Sequence, residues 1–327
     1  MTVPPTCPYP RLRWPDKVAT LATWGCAIAV FATVGWMAIS PADPRGVVRI
    51  TAGSWPLILT LVALAGVVAG LSTAAIGRKL PDAGTFAVAV GLAAANLKGQ
   101  SVENLLMVIE EPGPRRILCL EFTVEAVIWF AILLVAMISS GVVMRWCFGR
   151  GEPDPLCNAR LSAMCIADMP GLRRLAGGPP EAGGSARLRV SLMHGLVVIA
   201  LALVLVRVLA AGSTSPKIRQ EQVYFAIAVA FYLGSYAAHR WFPVQTPFPG
   251  CLTVLVVCII GYLWTLVRIQ GQGPYAELAG VPPTAFLRAL PLEYVAVGTA
   301  GVLAAFWSRP SHAIAGERAS EARTGPR

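Results

Sequence analysis

Glu121, Glu125, Glu293 and Arg207 stand inside or at the edge of long apolar stretches. An ionisable side chain is costly in hydrocarbon. One that is retained there faces a bundle interior or a water cavity, with a partner to pair with or a proton to exchange. Ion pairing and reversible protonation along a translocation pathway are the chemistry such residues can do. Glu125 lies four residues past Glu121, on the same helical face and one turn deeper. Counted from the start of their segment near Ile117, the two carboxylates lie about 6 and 12 Å below the boundary, while Arg207 lies about 6 Å from the end of its own segment near Ala211. One layer can hold all three groups, so Arg207 is the expected partner of Glu125. The alternative has Arg207 snorkelling outward alone and Glu125 protonated against a backbone carbonyl.

Glu121 and Glu293 also form a pair in sequence. Residues 116–122 read Arg-Ile-Leu-Cys-Leu-Glu-Phe and residues 288–294 read Arg-Ala-Leu-Pro-Leu-Glu-Tyr, so Arg116 and Arg288 mark two equivalent helix starts. Gly99-Gln100 and Gly271-Gln272 precede them at one spacing, 22 residues from glycine to glutamate in both copies. Aligned without a gap, residues 99–122 and 271–294 share seven identities in 24. A second match runs in the same order: Ser72-Thr73-Ala74-Ala75 with Ser235-Tyr236-Ala237-Ala238, then Arg78 and Pro81 with Arg240 and Pro243, Gly77 being one extra residue. The competing reading is coincidence in an apolar, low-complexity background. Pro291 suits the first position of a helix, which puts Glu293 in the first turn, where the helix dipole favours an anion and water is near.

The elements that position these residues follow from composition. The chain has 327 residues, 56% of them hydrophobic and only 13% charged, about half the charge of a soluble domain. Apolar segments occur at about 18–40, 56–77, 83–97, 117–144, 188–211, 223–239, 250–268 and 290–308. Most have the roughly 20 residues that a crossing needs. The segment 83–97 rises only about 22 Å and is the doubtful one. Charge placement bears on it: with eight spans, 17 basic residues collect on the side of the amino terminus and nine on the other, against 12 and 14 if 83–97 does not cross. The positive-inside rule favours eight spans with both termini cytoplasmic, in the cell (inner) membrane. The expected fold is therefore all-α, a polytopic integral membrane bundle built as two parallel four-helix repeats. Residues 1–17 form an N-terminal cytoplasmic tail, 18–147 the first repeat and 148–187 a cytoplasmic Gly/Pro-rich linker. Residues 188–308 form the second repeat and 309–327 a disordered C-terminal tail.

Other chemistry finds no residues. The basic residues, net charge +10, sit singly or in pairs at segment ends, so no nucleic-acid partner is expected. Cys147, Cys157 and Cys165 are too widely spaced for a metal site. No phosphate loop, Rossmann fingerprint, zinc-protease or nucleophile-elbow motif occurs, so neither a cofactor, a metal nor a catalytic set is expected. Glu110-Glu111-Pro-Gly-Pro-Arg115 has the spacing that opens the site of CAAX-type intramembrane proteases. Its prolines break the helix that the family requires, and the later Phe-x-x-x-His element is absent. Gly66-x-x-x-Gly70 reads as a helix-packing site, and His194 and His239 as hydrogen-bonding residues near segment ends.

The expected partner is the lipid bilayer, with room for a homo-oligomer or for partners in a membrane complex. Two functions remain. One is translocation of a small solute, ion or lipid through the bundle, with the Gly-Gln loops at its mouth. The other is a non-catalytic integral subunit or scaffold of a larger assembly, suggested by spans with no mid-membrane break and few polar residues.

Overall fold

In lipid a backbone must satisfy its own polar groups, so runs of leucine, valine and alanine of this length fold as helices. A computed structural model describes residues 13–41, 46–80, 82–109, 112–148, 184–210, 219–244, 246–269 and 284–308. Most of those residues are helical, with no strand among them. In chain order the helices are α1 (14–39, containing a π-helical stretch at Phe31–Gly35), α2 (Trp55–Ile76), α3 (Ala83–Asn96), the short α4 (Val102–Val108) and α5 (Pro112–Phe148). After these come α6 (Gly184–Ala210), α7 (Gln220–Trp241), α8 (Phe248–Arg268) and α9 (Pro291–Trp307). Five stretches are long and apolar enough to cross a membrane: Trp14–Ile39, Trp55–Ile76, Pro114–Met144, Leu188–Ala210 and Phe248–Arg268. Leu59, Val67, Val124, Leu196, Val208 and Val267 face outward on them and are exposed. A long apolar exterior over an apolar core is what a membrane protein presents to lipid.

The two short helices sit at the centre. Ten of the 14 residues of α3 and 14 of the 17 of α9 are buried. Helix α3 packs against α1, α2, α5 and α9, while α9 packs against α3, α5, α7 and α8. A helix of 14 residues rises about 21 Å, short of the hydrocarbon thickness, but its ends meet other protein rather than lipid. Small residues permit this. Gly91 takes the ring of Phe31 from α1, and Gly84 abuts α2 and α5. Gly66 and Gly70 of α2 face Val135, Ser139 and Val143 of α5, the packing role expected of their spacing.

Helix α5 begins at Pro112, five residues before the apolar run at 117. Proline is tolerated in a first turn, so Pro112 and Pro114 open the helix rather than prevent it. Residues 1–12 of the expected tail, 149–183 of the expected linker 148–187, Glu110, Glu111, Gly271, Gln272 and the tail from 309 lie outside the described residues, while 14–17 already belong to α1 and 184–187 to α6.

Contacts at the helix ends fix relative direction. Asn96, last in α3, meets Gln220, first in α7, and Glu293 in the first turn of α9. These ends share one level, the acid end. At the opposite end Trp24, Phe86 and Trp307 join α1, α3 and α9 through ring contacts of 4.5–6.1 Å. Lys98, just past α3, ties α1 to the acid end: its Nζ donates to the Ala32 carbonyl within the π-helical stretch at 2.5 Å and lies 6.0 Å over the Trp36 ring. Because Lys98 is exposed, Lys98→Met is expected to cost only about 1 kcal/mol. Equilibrium unfolding in micelles, read with Trp36 fluorescence, measures it.

Candidate functional site

Among the described residues three buried carboxylates lie at the acid end, Glu293, Glu125 and Glu103, and the first two are held in different ways. Glu293 comes from the first turn of α9, which Pro291 starts. Its Oε2 accepts from the backbone N–H of Leu290 at 2.8 Å, satisfying one of the free amides of a helix start. Its Oε1 accepts from Asn96 Nδ2 at 3.0 Å and Gln220 Nε2 at 2.8 Å. Asn96 Nδ2 also reaches Tyr224 Oη at 2.9 Å, and that hydroxyl donates to the Ala93 carbonyl at 3.0 Å. Glu293 is 2% exposed and Asn96 fully buried, with Asn96 Oδ1 left unpartnered. Three N–H donors on one carboxylate, none of them charged, make a socket built for a negative group. The expected position near water is therefore corrected: α3 and α7 close over the start of α9 and exclude solvent.

Glu125 is fully buried on α5. Arg49, from the segment before α2, reaches it with Nε at 3.3 Å and reaches Glu121 with Nη2 at 2.5 Å. Thr51 Oγ1 donates to Glu125 Oε1 at 2.5 Å, while Glu125 Oε2 has no partner. One turn deeper, Trp129 is buried with its Nε1 likewise unpartnered. Arg207 has a suitable depth but is not beside Glu125. It is exposed on α6, which packs on α7 and α8, away from the start of α5. The cation expected from span five comes instead from the loop before α2.

Aromatic rings pack between the helix starts that carry Glu121 and Glu293. Phe122 and Tyr294, the residues following Glu121 and Glu293, both contact Tyr262 of α8, at 5.4 and 6.1 Å between centroids. Tyr262 Oη donates to the Ala289 carbonyl at 2.7 Å, which fixes the ring between them. Arg288 Nη1 pairs with Glu103 Oε1 at 3.1 Å, both side chains buried. Arg116 is already inside α5, whereas Arg288 sits in a 3-10 turn, Ala285–Arg288, before α9. Pro291 stops the second helix from reaching back that far. Gly99 turns the chain after α3, its N–H donating to the Asn96 carbonyl at 2.9 Å, and Gln100 Oε1 accepts from Asn104 Nδ2 at 2.7 Å.

Polar groups at the opposite end are separate. His194 is buried with Nδ1 3.0 Å from the Phe242 carbonyl, and its ring lies 4.5 Å from that of His239. Asp82, in the turn before α3, has a left-handed backbone (φ 64°). Part of the residue meets solvent, yet its Oδ2 is buried without a partner, and burial pushes the carboxyl up to about 7.

Asn96, Gln220, Tyr224 and Arg49 escaped the sequence reading. Each lies at a segment end, where polar residues are ordinary, and only their convergence distinguishes them. No family model matches this chain, and neither does any curated protein or solved structure.

Proposed function

We propose that this membrane protein translocates a small solute or ion, with Glu293 and Glu125 as the acids of its pathway. The observation that carries the reading is Glu293: a carboxylate almost wholly removed from solvent, served by uncharged donors from α3, α7 and its own helix start. A group so costly to bury in a membrane is retained for use, and protonation or cation binding is the use open to it. Arg49 gives the second acid a different character. A loop cation spanning Glu121 and Glu125 can release one or both as the loop moves.

In this proposal eight helices cross the inner membrane as two parallel modules, α1, α2, α3 and α5 beside α6, α7, α8 and α9, with both termini cytoplasmic. The neighbour pattern supports it. Helix α3 packs on α9 as α8 packs on α5, α2 on α5 as α7 on α9, and α1 on α3 as α6 on α8. Under this proposal a twofold axis along the membrane normal would run through the α5–α9 contact. Two contacts depart from this pattern: α2 packs on α3 whereas α7 and α8 barely touch, and α6 packs far more extensively on α7 than α1 does on α2.

Glu293→Gln keeps the shape of the side chain and removes its charge. Flux through proteoliposomes, read as proton uptake with an entrapped pH-sensitive dye under imposed Na+ or solute gradients, is expected to fall by at least about tenfold. Unchanged flux would remove Glu293 from the mechanism. No flux from the native protein, with partners co-purifying in fixed ratio, would favour a structural subunit instead.

A further inference from the structure

Among the described residues, every hydrogen-bond partner of the Glu293 carboxylate is an N–H donor. The Leu290 backbone donates to Oε2 at 2.8 Å, while Asn96 Nδ2 and Gln220 Nε2 donate to Oε1 at 3.0 and 2.8 Å. Asn96 also holds an unused group, since its Oδ1 is buried with no partner. An asparagine amide carries an acceptor and a pair of donors on one planar end, and turning it over exchanges the two. After that turn Oδ1 stands where Nδ2 stood, 3.0 Å from Glu293 Oε1. The turn costs Oδ1 no hydrogen bond, because it has none to lose. Tyr224 keeps its bond to the Ala93 carbonyl throughout.

We infer that the ion taken up by Glu293 is a proton, with Asn96 as the positioning residue whose amide turns over to accept it. The inference rests on the reading of Glu293 as the acid in use. Hydronium gives its proton to a lone pair of Oε1 and leaves as water. The neutral carboxyl then donates from Oε1 to the turned Oδ1 of Asn96. A metal ion fits this socket poorly. Hard cations take about six oxygens, and N–H groups cannot ligate one. Turning over Asn96 and Gln220 would present two oxygens, but the Leu290 N–H is backbone and stays. A proton needs only one lone pair and one acceptor. Among the described residues, the titratable side chains that interact with Glu293 are Tyr224 of α7, Tyr262 of α8 and Tyr294 of α9 itself. On α5, Glu121 and Glu125 are held by Arg49, and Arg288 before α9 is held by Glu103. Lys98, past the end of α3, is exposed and donates to α1. Arg219 and Glu221, on either side of Gln220, are exposed as well. Gln220 itself is partly exposed, which gives the proton its way in from the acid end.

The full-length protein in detergent micelles is titrated with acid and followed by infrared difference spectroscopy. The spectra are expected to contain a carboxyl C=O band that Glu293→Gln removes, with one midpoint in NaCl, KCl and choline chloride of equal ionic strength. One-for-one competition by a metal ion would lower that midpoint by about one pH unit for each tenfold rise in Na+ or K+ above its dissociation constant. That result overturns the inference and leaves the transport reading standing. A band that survives Glu293→Gln, or no band at all, overturns it too. Salt-independent titration without flux would keep the proton and remove the transport reading instead. Asn96→Leu keeps the bulk without the amide and should move the band to higher frequency, as a carboxyl does on losing its acceptor. An unmoved band overturns the role of Asn96. Should that variant not fold, native protein carrying isotope-labelled asparagine supplies the readout. An asparagine amide band should change across the same midpoint, and its constancy would be equally decisive against Asn96.

Discussion

Arg49→Ala is expected to destabilise the protein by about 3–5 kcal/mol, the cost of stranding a buried charge. Its guanidinium is the cation on Glu125, which is fully buried and keeps only the Thr51 hydroxyl once Arg49 is gone. The pair itself need not be strongly stabilising, because desolvating two charges offsets most of their attraction. Rescue therefore tests the explanation better than loss does. Glu125→Gln in the Arg49→Ala background should recover most of the stability, since it removes the uncompensated charge. Glu121→Gln alone should cost no more than about 1 kcal/mol, because that carboxylate is 43% exposed. Arg207→Ala, on the lipid-facing side of α6, should change stability by less than about 0.5 kcal/mol. Equilibrium unfolding of the four variants in mixed micelles decides the matter. Failure of the double variant to recover would mean that Arg49 matters for its packing rather than its charge.

The second large effect is expected at Gly84. A methyl group there would meet Ser140 Oγ at 2.6 Å and, closer still, Thr73 Oγ1 and the Ala69 carbonyl oxygen. The hydroxyls can rotate away. The carbonyl belongs to the backbone of α2, so α2 and α3 must separate, and α3 is central to the bundle. Overpacking ordinarily costs 1–3 kcal/mol; with backbone as the obstacle, Gly84→Ala should cost at least about 3 kcal/mol and lower the yield of monodisperse protein. Gly66→Ala is the control. Its nearest neighbours would be Ser139 Oγ at 3.6 Å and Val135 Cγ1 at 3.7 Å, ordinary contact. Gain in helix propensity should leave that variant neutral or slightly more stable. Similar losses at both positions would mean that helix spacing in the bundle is not set at Gly84.

Helix limits were legible in the sequence to within a few residues, because hydropathy and proline position act along one dimension. The segment at 83–97 became a helix ending at Asn96, and that at 290–308 became one starting at Pro291. Depth was legible too. A rise of 1.5 Å per residue fixes where a side chain lies along its own axis, which is why Glu121, Glu125 and Glu293 could be assigned to one end. Azimuth and neighbours could not be read in the same way. Arg207 has a suitable depth but belongs to a helix that packs elsewhere, whereas Arg49 comes from a loop whose reach no periodicity records. Glu293 and Glu121 are equivalent in sequence, yet one is enclosed by Asn96 and Gln220 and the other meets solvent. The chain by itself determined which residues are helical, which of those helices are apolar enough to cross a membrane, and on which turn of its own helix each acid lies. Only the packing of one helix on another decided which acids are dry and what holds them, since those contacts join residues as many as 197 positions apart.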